Sequence, residues 1–390
     1  MKHTMTLLAA AAATTLAVGA SAQTRGVTDD EVRIGGAHDL SGVFAAISTP
    51  AVAGANLYFD MVNENGGVHG RMVNYITEDH GYQLPRATQV YNKLIERDQV
   101  FAMLLNLGTP HNLAHYPLME RRGVPNLAPL TAARAILPDP PLLNFVSFSS
   151  YYDQIDMGIE YLQGETGATT VCSMYLPTDF GAEIALASHE AAERLGMAFG
   201  DETTHRPDDQ DFVGAVSRLR AAECDIVTMA LGVRAGITVV ATAKQLGWDD
   251  VSFLGSSAGF LEPVAMVPGG VTDGLYAGAG WQDLRARGEE AVPAAFIAAY
   301  EERYGQPASG FAMLGYSAAE QVVMALEIAG PDLTTEGFVT AMESLDYFDE
   351  LLGTHVNFSE TDHQGGNDVF ISRVGDGHWH TVARINRDEM

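Results

Sequence analysis

The chain is poor in cysteine and in positive charge. Only Cys172 and Cys224 occur among 390 residues, so this is not a small disulfide-stapled scaffold. Lysine and arginine total 22 against 50 aspartates and glutamates, a formal net charge of −28. Nucleic acid and anionic membrane surfaces both attract basic patches, so neither is a suitable partner. The acidic excess reads as a solvated surface. Long apolar runs are also absent beyond the first residues, so no later segment can span a bilayer as a helix.

What the chain does have begins at its start. Residues 1–22 carry the parts of a secretory signal: Lys2 and His3, an apolar stretch from Met5 to Val18, and Ala20-Ser21-Ala22 before a cleavage at Gln23. No cysteine lies near that site, which argues against a lipoprotein and for a soluble protein exported to a bacterial periplasm. The remainder is long enough for two domains. Cys172 and Cys224 each open an expected strand; they form either a disulfide between neighbouring strands or two buried free thiols.

Short apolar runs alternate with helical patterns. Strands are expected at Val32–Ala37, Met72–Glu78, Val100–Leu107, Val124–Leu130, Phe145–Phe148, Thr170–Leu176, Asp225–Leu231 and Val251–Gly255. Between them, Ala87, Val90, Tyr91, Leu94 and Ile95 form an apolar helical stripe, and further helices start near Pro50, Gly181, Gln210 and Arg234. The alternation implies an α/β fold of doubly wound parallel sheets. Pro138, Pro140 and Pro141 interrupt it before a second series begins at Thr170, which suggests a linker between two similar domains. Phe370 to Ile385 reads as a hairpin turning at Asp376-Gly377.

The segment Phe101 to Asn112 points to a binding site. A fully apolar strand runs into Gly108, Thr109 as a helix N-cap and Pro110 in the first turn. That places free amides and the positive end of a helix dipole at the carboxyl edge of the sheet, a receptor for a small carboxylate or other anion.

Asn63-Glu64-Asn65-Gly66-Gly67-Val68-His69-Gly70, with Leu40-Ser41-Gly42, Leu107-Gly108-Thr109-Pro110 and Thr178-Asp179-Phe180-Gly181, resembles the branched-chain amino-acid-type periplasmic binding proteins of ABC transporters. The resemblance implies a type I periplasmic-binding-protein fold. Two lobes, 24–148 plus 280–355 and 149–279 plus 356–390, would be joined by three crossovers and close on a ligand. It also implies that Leu107, Gly108 and Thr109 hold the ligand's carboxylate, with Leu130 and Thr131 as a second wall, and that ABC permease subunits are the partners. The family's acidic residue for a ligand ammonium is replaced here by Ser257, and its aromatic residues by Gly232-Val233-Arg234. A buried ammonium without a counter-charge is costly, so a standard amino acid is disfavoured. Ile47, Leu107, Leu130, Tyr151, Tyr152 and Phe180 are expected as walls, with Arg234 or Arg134 as a cation. This set suits an organic acid with an apolar or aromatic body.

Other readings compete. A sensory ligand-binding module without transport would have the same fold. Gly255-Ser256-Ser257-Ala258-Gly259 matches the nucleophile elbow of a serine hydrolase, with Asp349 and His355, or Asp362 and His363, as partners, but no oxyanion motif precedes it. His111 and His115 have metal-ligand spacing, yet Asn112 stands where a zincin needs glutamate, and surface or capping histidines are the plainer reading. His378 and His380 alternate with Trp379 as a strand's polar face would. The expectation is a binding protein that is not an enzyme and uses no cofactor.

Overall fold

The computed structural model of the protein describes residues 24–389; the expected signal segment 1–22 lies outside them. The first sheet is built from β1 (Glu31–His38), α1 (Ala45–Glu64), β2 (Met72–Asp79), α2 (Leu84–Asn92), β3 (Ala102–Leu104), α3 (Thr109–Arg122), β4 (Asn126–Leu127) and β5 (Asn144–Phe145). Its five parallel strands run in the order β2-β1-β3-β4-β5. All five residues of the expected stripe on α2 and the wider turn after it are buried.

Helix α1 starts five residues before the expected Pro50, which lies inside it. Proline's preference for a first turn is overridden here by Asp39. Its buried carboxylate accepts the amides of Gly42 (2.5 Å) and Phe44 (2.9 Å) and so nucleates the helix earlier.

Then α4 (Tyr151–Thr166), β6 (Thr170–Tyr175), α5 (Asp179–Leu195), β7 (Ala198–Thr204), α6 (Val213–Ala221), β8 (Ile226–Ala230), α7 (Val233–Gln245), β9 (Ser252–Gly255), α8 (Glu262–Ala265) and β10 (Tyr276–Ala279) form a second sheet. Its parallel part runs β7-β6-β8-β9-β10, the same winding as the first. The disulfide is formed: Cys172 on β6 is bonded to Cys224 ahead of neighbouring β8, with Cα atoms 5.8 Å apart.

The chain returns to the first sheet with α9 (Ala291–Tyr304), α10 (Gly310–Ala329), α11 (Thr335–Glu343) and the small ladder of β11 (Asp346–Asp349) and β12 (Thr354–Asn357). Helices α1 and α10 cross closely because Gly54 and Gly315 leave room: a Cβ on either would lie 1.9 Å from the other helix's carbonyl oxygen. The chain ends with β13 (Val369–Gly375) and β14 (His378–Ile385), the expected hairpin, added antiparallel to β10. Asp376 and Gly377 form its turn, both at positive φ.

The backbone thus passes between the sheets three times, at residues 146–150, 280–290 and 358–368. These passages touch one another: Val146 bridges Gln364, and Phe148 packs on Trp281 with ring centroids 5.0 Å apart. This is the type I periplasmic-binding architecture of two doubly wound sheets on a triple connection.

Candidate functional site

Open doubly wound sheets bind ligands where the strand order reverses, at the carboxyl ends of the strands. Here those points are the exits of β1 and β3 in one sheet and of β6 and β8 in the other.

The strands at the first of these edges are shorter than their apolar runs. Leu105 and Ala128 both take positive φ, which breaks β3 and β4, and the two chains pair again only at Leu107 and Leu130. Thr109, expected as the N-cap, is the first residue of α3, and Gly108 is the cap at φ 99°. A side chain there would face both an unfavourable φ and the His111 ring, with Nδ1 2.5 Å from an added Cβ. Freed from capping, the Thr109 hydroxyl shares a hydrogen bond of 2.7 Å with that of Thr131. Among the described residues the amides of Thr109 and His111 meet no acceptor, as a helix's first turn leaves them.

Four buried asparagines hold this cradle. Asn106 accepts from the Ala37 amide and donates to Asn126, which donates to Asn112 and Asn144. Asn112 in turn donates to the carbonyls of Asn106 and Gly108. The network ties β1, β3, α3, β4 and β5 together under the strand exits. Nothing in hydropathy patterning reveals it, because each asparagine interrupts an apolar run.

A small cavity lies above the cradle. Of the expected site residues, Ile47, Leu107, Gly108, Thr109, Leu130, Tyr151 and Phe180 line it. Thr131 sits behind Thr109. Arg234 is exposed on α7 and lines neither this cavity nor the one beside it, while Ser257 is buried with its amide on Gln154 Oε1 at 2.8 Å. Tyr152 turns away: its ring lies 3.5 Å under the Arg134 guanidinium and its hydroxyl donates to Glu190. Sequence reasoning missed Phe44, Tyr82 and Ala258. Phe44 lies two residues after the Leu40-Ser41-Gly42 motif, and Tyr82 follows the exit of β2, so position relative to strand ends is the available signal. Phe44 and Tyr151 each meet Phe180, at 6.2 and 5.1 Å between centroids, so aromatic rings from both sheets converge.

A second, small cavity lies on the other side of Phe180 and Ala258, which belong to both walls. It is bounded by β8, α7 and the exit of β9. No aspartate, glutamate, lysine or arginine lines either cavity. Burial raises the pKa of Tyr82 and Tyr151, so both remain neutral donors. Beside the cradle, His80 stacks on His111 with centroids 4.4 Å apart. Burial lowers His38 and His111 to about 3 and His80 to about 4. His111 and His115 are therefore interior rather than surface groups, and no cluster among the described residues could hold a metal ion.

The residues considered for a hydrolase are engaged elsewhere. His355 pairs with Asp346, His363 with the Asn144 carbonyl and Glu343, and Asp349 with Ser317. None of these is a nucleophile–base contact to Ser257.

Comparison with known proteins agrees with this geometry. A leucine-, isoleucine-, valine-, threonine-, and alanine-binding protein of Pseudomonas aeruginosa is 22% identical over 301 residues, 77% of this chain and 79% of that protein. The fatty acid ABC transporter substrate-binding protein from Thermomonospora curvata superposes with a TM-score of 0.85 at 25% identity, over 94% of this chain and 95% of its own. A branched-chain amino acid ABC transporter structure from Thermus thermophilus with bound valine gives 0.83 at 19% identity, over 92% and 97%. The family model described as periplasmic binding protein matches residues 31–378, and the chain belongs to that family as a type I periplasmic solute-binding protein.

Proposed function

We propose that this protein is the periplasmic receptor of an ABC importer, and that it delivers a carboxylate with an apolar or aromatic body. In this reading residues 1–22 are a signal peptide, and lobes 24–148 plus 280–355 and 149–279 plus 356–390 swing about the three connections. Ligand touching both lobes stabilises the closed form over the open one. The observation that carries the reading is a cavity with a helix N-terminus and two threonine hydroxyls at one end, aromatic rings around it and no charged wall residue. A carboxylate is met there by amides and the helix dipole, while an ammonium finds no counter-charge. The relatives named for a fatty acid, for valine and for aliphatic amino acids share a carboxylate on an apolar body as their ligands' common chemistry. The reaction class is reversible binding without catalysis, and the partners are permease subunits of the inner membrane.

Calorimetric titration with apolar carboxylates, their neutral amides and leucine tests this. The acids should bind and the matched amides should not. Equal binding of acid and amide, or tighter binding of leucine, would overturn the proposal. Thr109→Leu should abolish acid binding while leaving the melting temperature close to wild type.

A further inference from the structure

The second cavity has a feature that apolar packing does not explain. Its walls are Met229, Leu231, Ile237, Val264 and Leu275, yet Ser256 also lines it. Ser256 is 1% exposed, and its Oγ has no hydrogen-bond partner among the described residues. A buried hydroxyl without a partner destabilises a fold, so such a group in a native structure calls for an occupant that satisfies it. Its neighbour Ser257, the central serine of the elbow-like pattern, donates its backbone amide to Gln154 Oε1.

The cavity also owes its room to missing side chains. Gly236 on α7 and Gly259 after β9 both border it, and a Cβ on either would meet no atom within 4 Å. Glycine inside a helix is destabilising relative to alanine, so Gly236 costs stability and leaves space. Phe180 and Ala258 form the partition with the carboxylate cavity, and a bare methyl on one side leaves that partition thin.

We propose that the second cavity is a distal subsite for the ligand's apolar body, and that Ser256 is a specificity-determining residue hydrogen-bonding a hydroxyl or carbonyl oxygen carried at that end. The inference rests on the carboxylate reading above. It narrows the ligand to an extended acid bearing a second oxygen function remote from its carboxylate.

The test is calorimetry at neutral pH with butanoate, octanoate and octanoates hydroxylated along the distal half, on wild type, Ser256→Ala and Gly236→Leu. In wild type one hydroxylated isomer should bind about three- to tenfold tighter than octanoate, the span of one net hydrogen bond. Ser256→Ala should erase that preference without weakening octanoate. Gly236→Leu, which fills the cavity from a helix that accepts leucine, should weaken octanoate at least about tenfold and leave butanoate unchanged. An unchanged hydroxylated-to-parent ratio in Ser256→Ala overturns the role of Ser256. Equal effects of Gly236→Leu on long and short acids overturn the subsite. If wild type binds none of these acids, the carboxylate reading itself fails and the subsite with it.

Discussion

The backbone amide of Arg134 donates to both carboxylate oxygens of Glu183, each at 3.0 Å, and so joins the first sheet's β4–β5 connection to α5 of the second. Burial first, and repulsion from Asp153 to a lesser degree, hold the Glu183 carboxyl up at about 7, against the lowering effects of Arg134 and the Tyr152 amide. In the lobe motion proposed above, opening would return it to water and to its ordinary 4.5. The closed form therefore keeps a proton that the open form releases between those values. Affinity for a bound acid should rise as pH falls from about 7 to 4.5, by at most about tenfold per unit. Glu183→Gln, whose amide oxygen still accepts from Arg134, should flatten that dependence in titrations across this range; an unchanged slope would contradict the latch.

The interior histidines predict how stability depends on acid. His38, His80 and His111 stay neutral in the fold down to about 3, 4 and 3, whereas the unfolded chain protonates them near 6.5. Their contribution is complete above 6.5 and is lost as pH falls. Buried Glu262 and half-buried Glu183 and Glu320, all raised to about 7, act oppositely: their contribution is complete below 4.5 and is lost as pH rises to 7. Between 4.5 and 6.5 the two groups offset, so stability should be nearly level there and fall steeply below. In His80→Asn, which keeps an acceptor for the Tyr82 amide, the slope in that window should drop by about 1.4 kcal/mol per pH unit relative to wild type, as denaturant unfolding at several pH values can show.

Asn126 is the hub of the asparagine network. Asn126→Leu keeps the branched heavy-atom shape but strips partners from Asn106, Asn112 and Asn144, all buried. A loss of about 2–4 kcal/mol is expected in the unfolding free energy, with weakened acid binding because the Leu107 and Leu130 exits lose their support. A midpoint within experimental error of wild type would show that the network contributes nothing.

Reduction of Cys172–Cys224, or the double alanine variant, should cost about 4 kcal/mol, since the bond closes a loop of 52 residues in the unfolded chain. Ligand affinity should not change, because Cys172 lies mid-strand on β6, away from the strand exits. Loss of binding before loss of fold would show coupling between the disulfide and the cleft.

Much of the architecture was legible because parallel strands covered on both faces are almost entirely apolar. Val32–Ala37, Thr170–Leu176 and Asp225–Leu231 each fall within a residue of the strand found there. Strand β7 was missed because it is a sheet edge: Ala198–Thr204 carries Asp201, Glu202 and Thr204 along with its apolar residues, and solvent on one side removes the pattern. The runs around Leu105 and Ala128 read as longer than the strands they hold, since local hydropathy does not register a positive φ imposed by neighbouring chains.

The cleft divides in the same way. That cavity-lining residues sit after strand ends follows from the order of elements, and Leu107, Gly108, Thr109, Leu130 and Phe180 are legible on that ground. Which of two adjacent side chains faces inward does not follow, because one residue of rotation reverses it. Ser256 rather than Ser257 lines the cavity, and Arg234 leaves it for solvent, through the twist of β9 and the phase of α7. Sequence alone determined an acidic α/β chain with two doubly wound halves and a helix starting directly after the third strand, all consequences of local pattern and charge. Tertiary structure decided the asparagine scaffold, the Glu183 contact and the identity of the wall residues, because each depends on groups far apart in the chain meeting at a shared sheet edge.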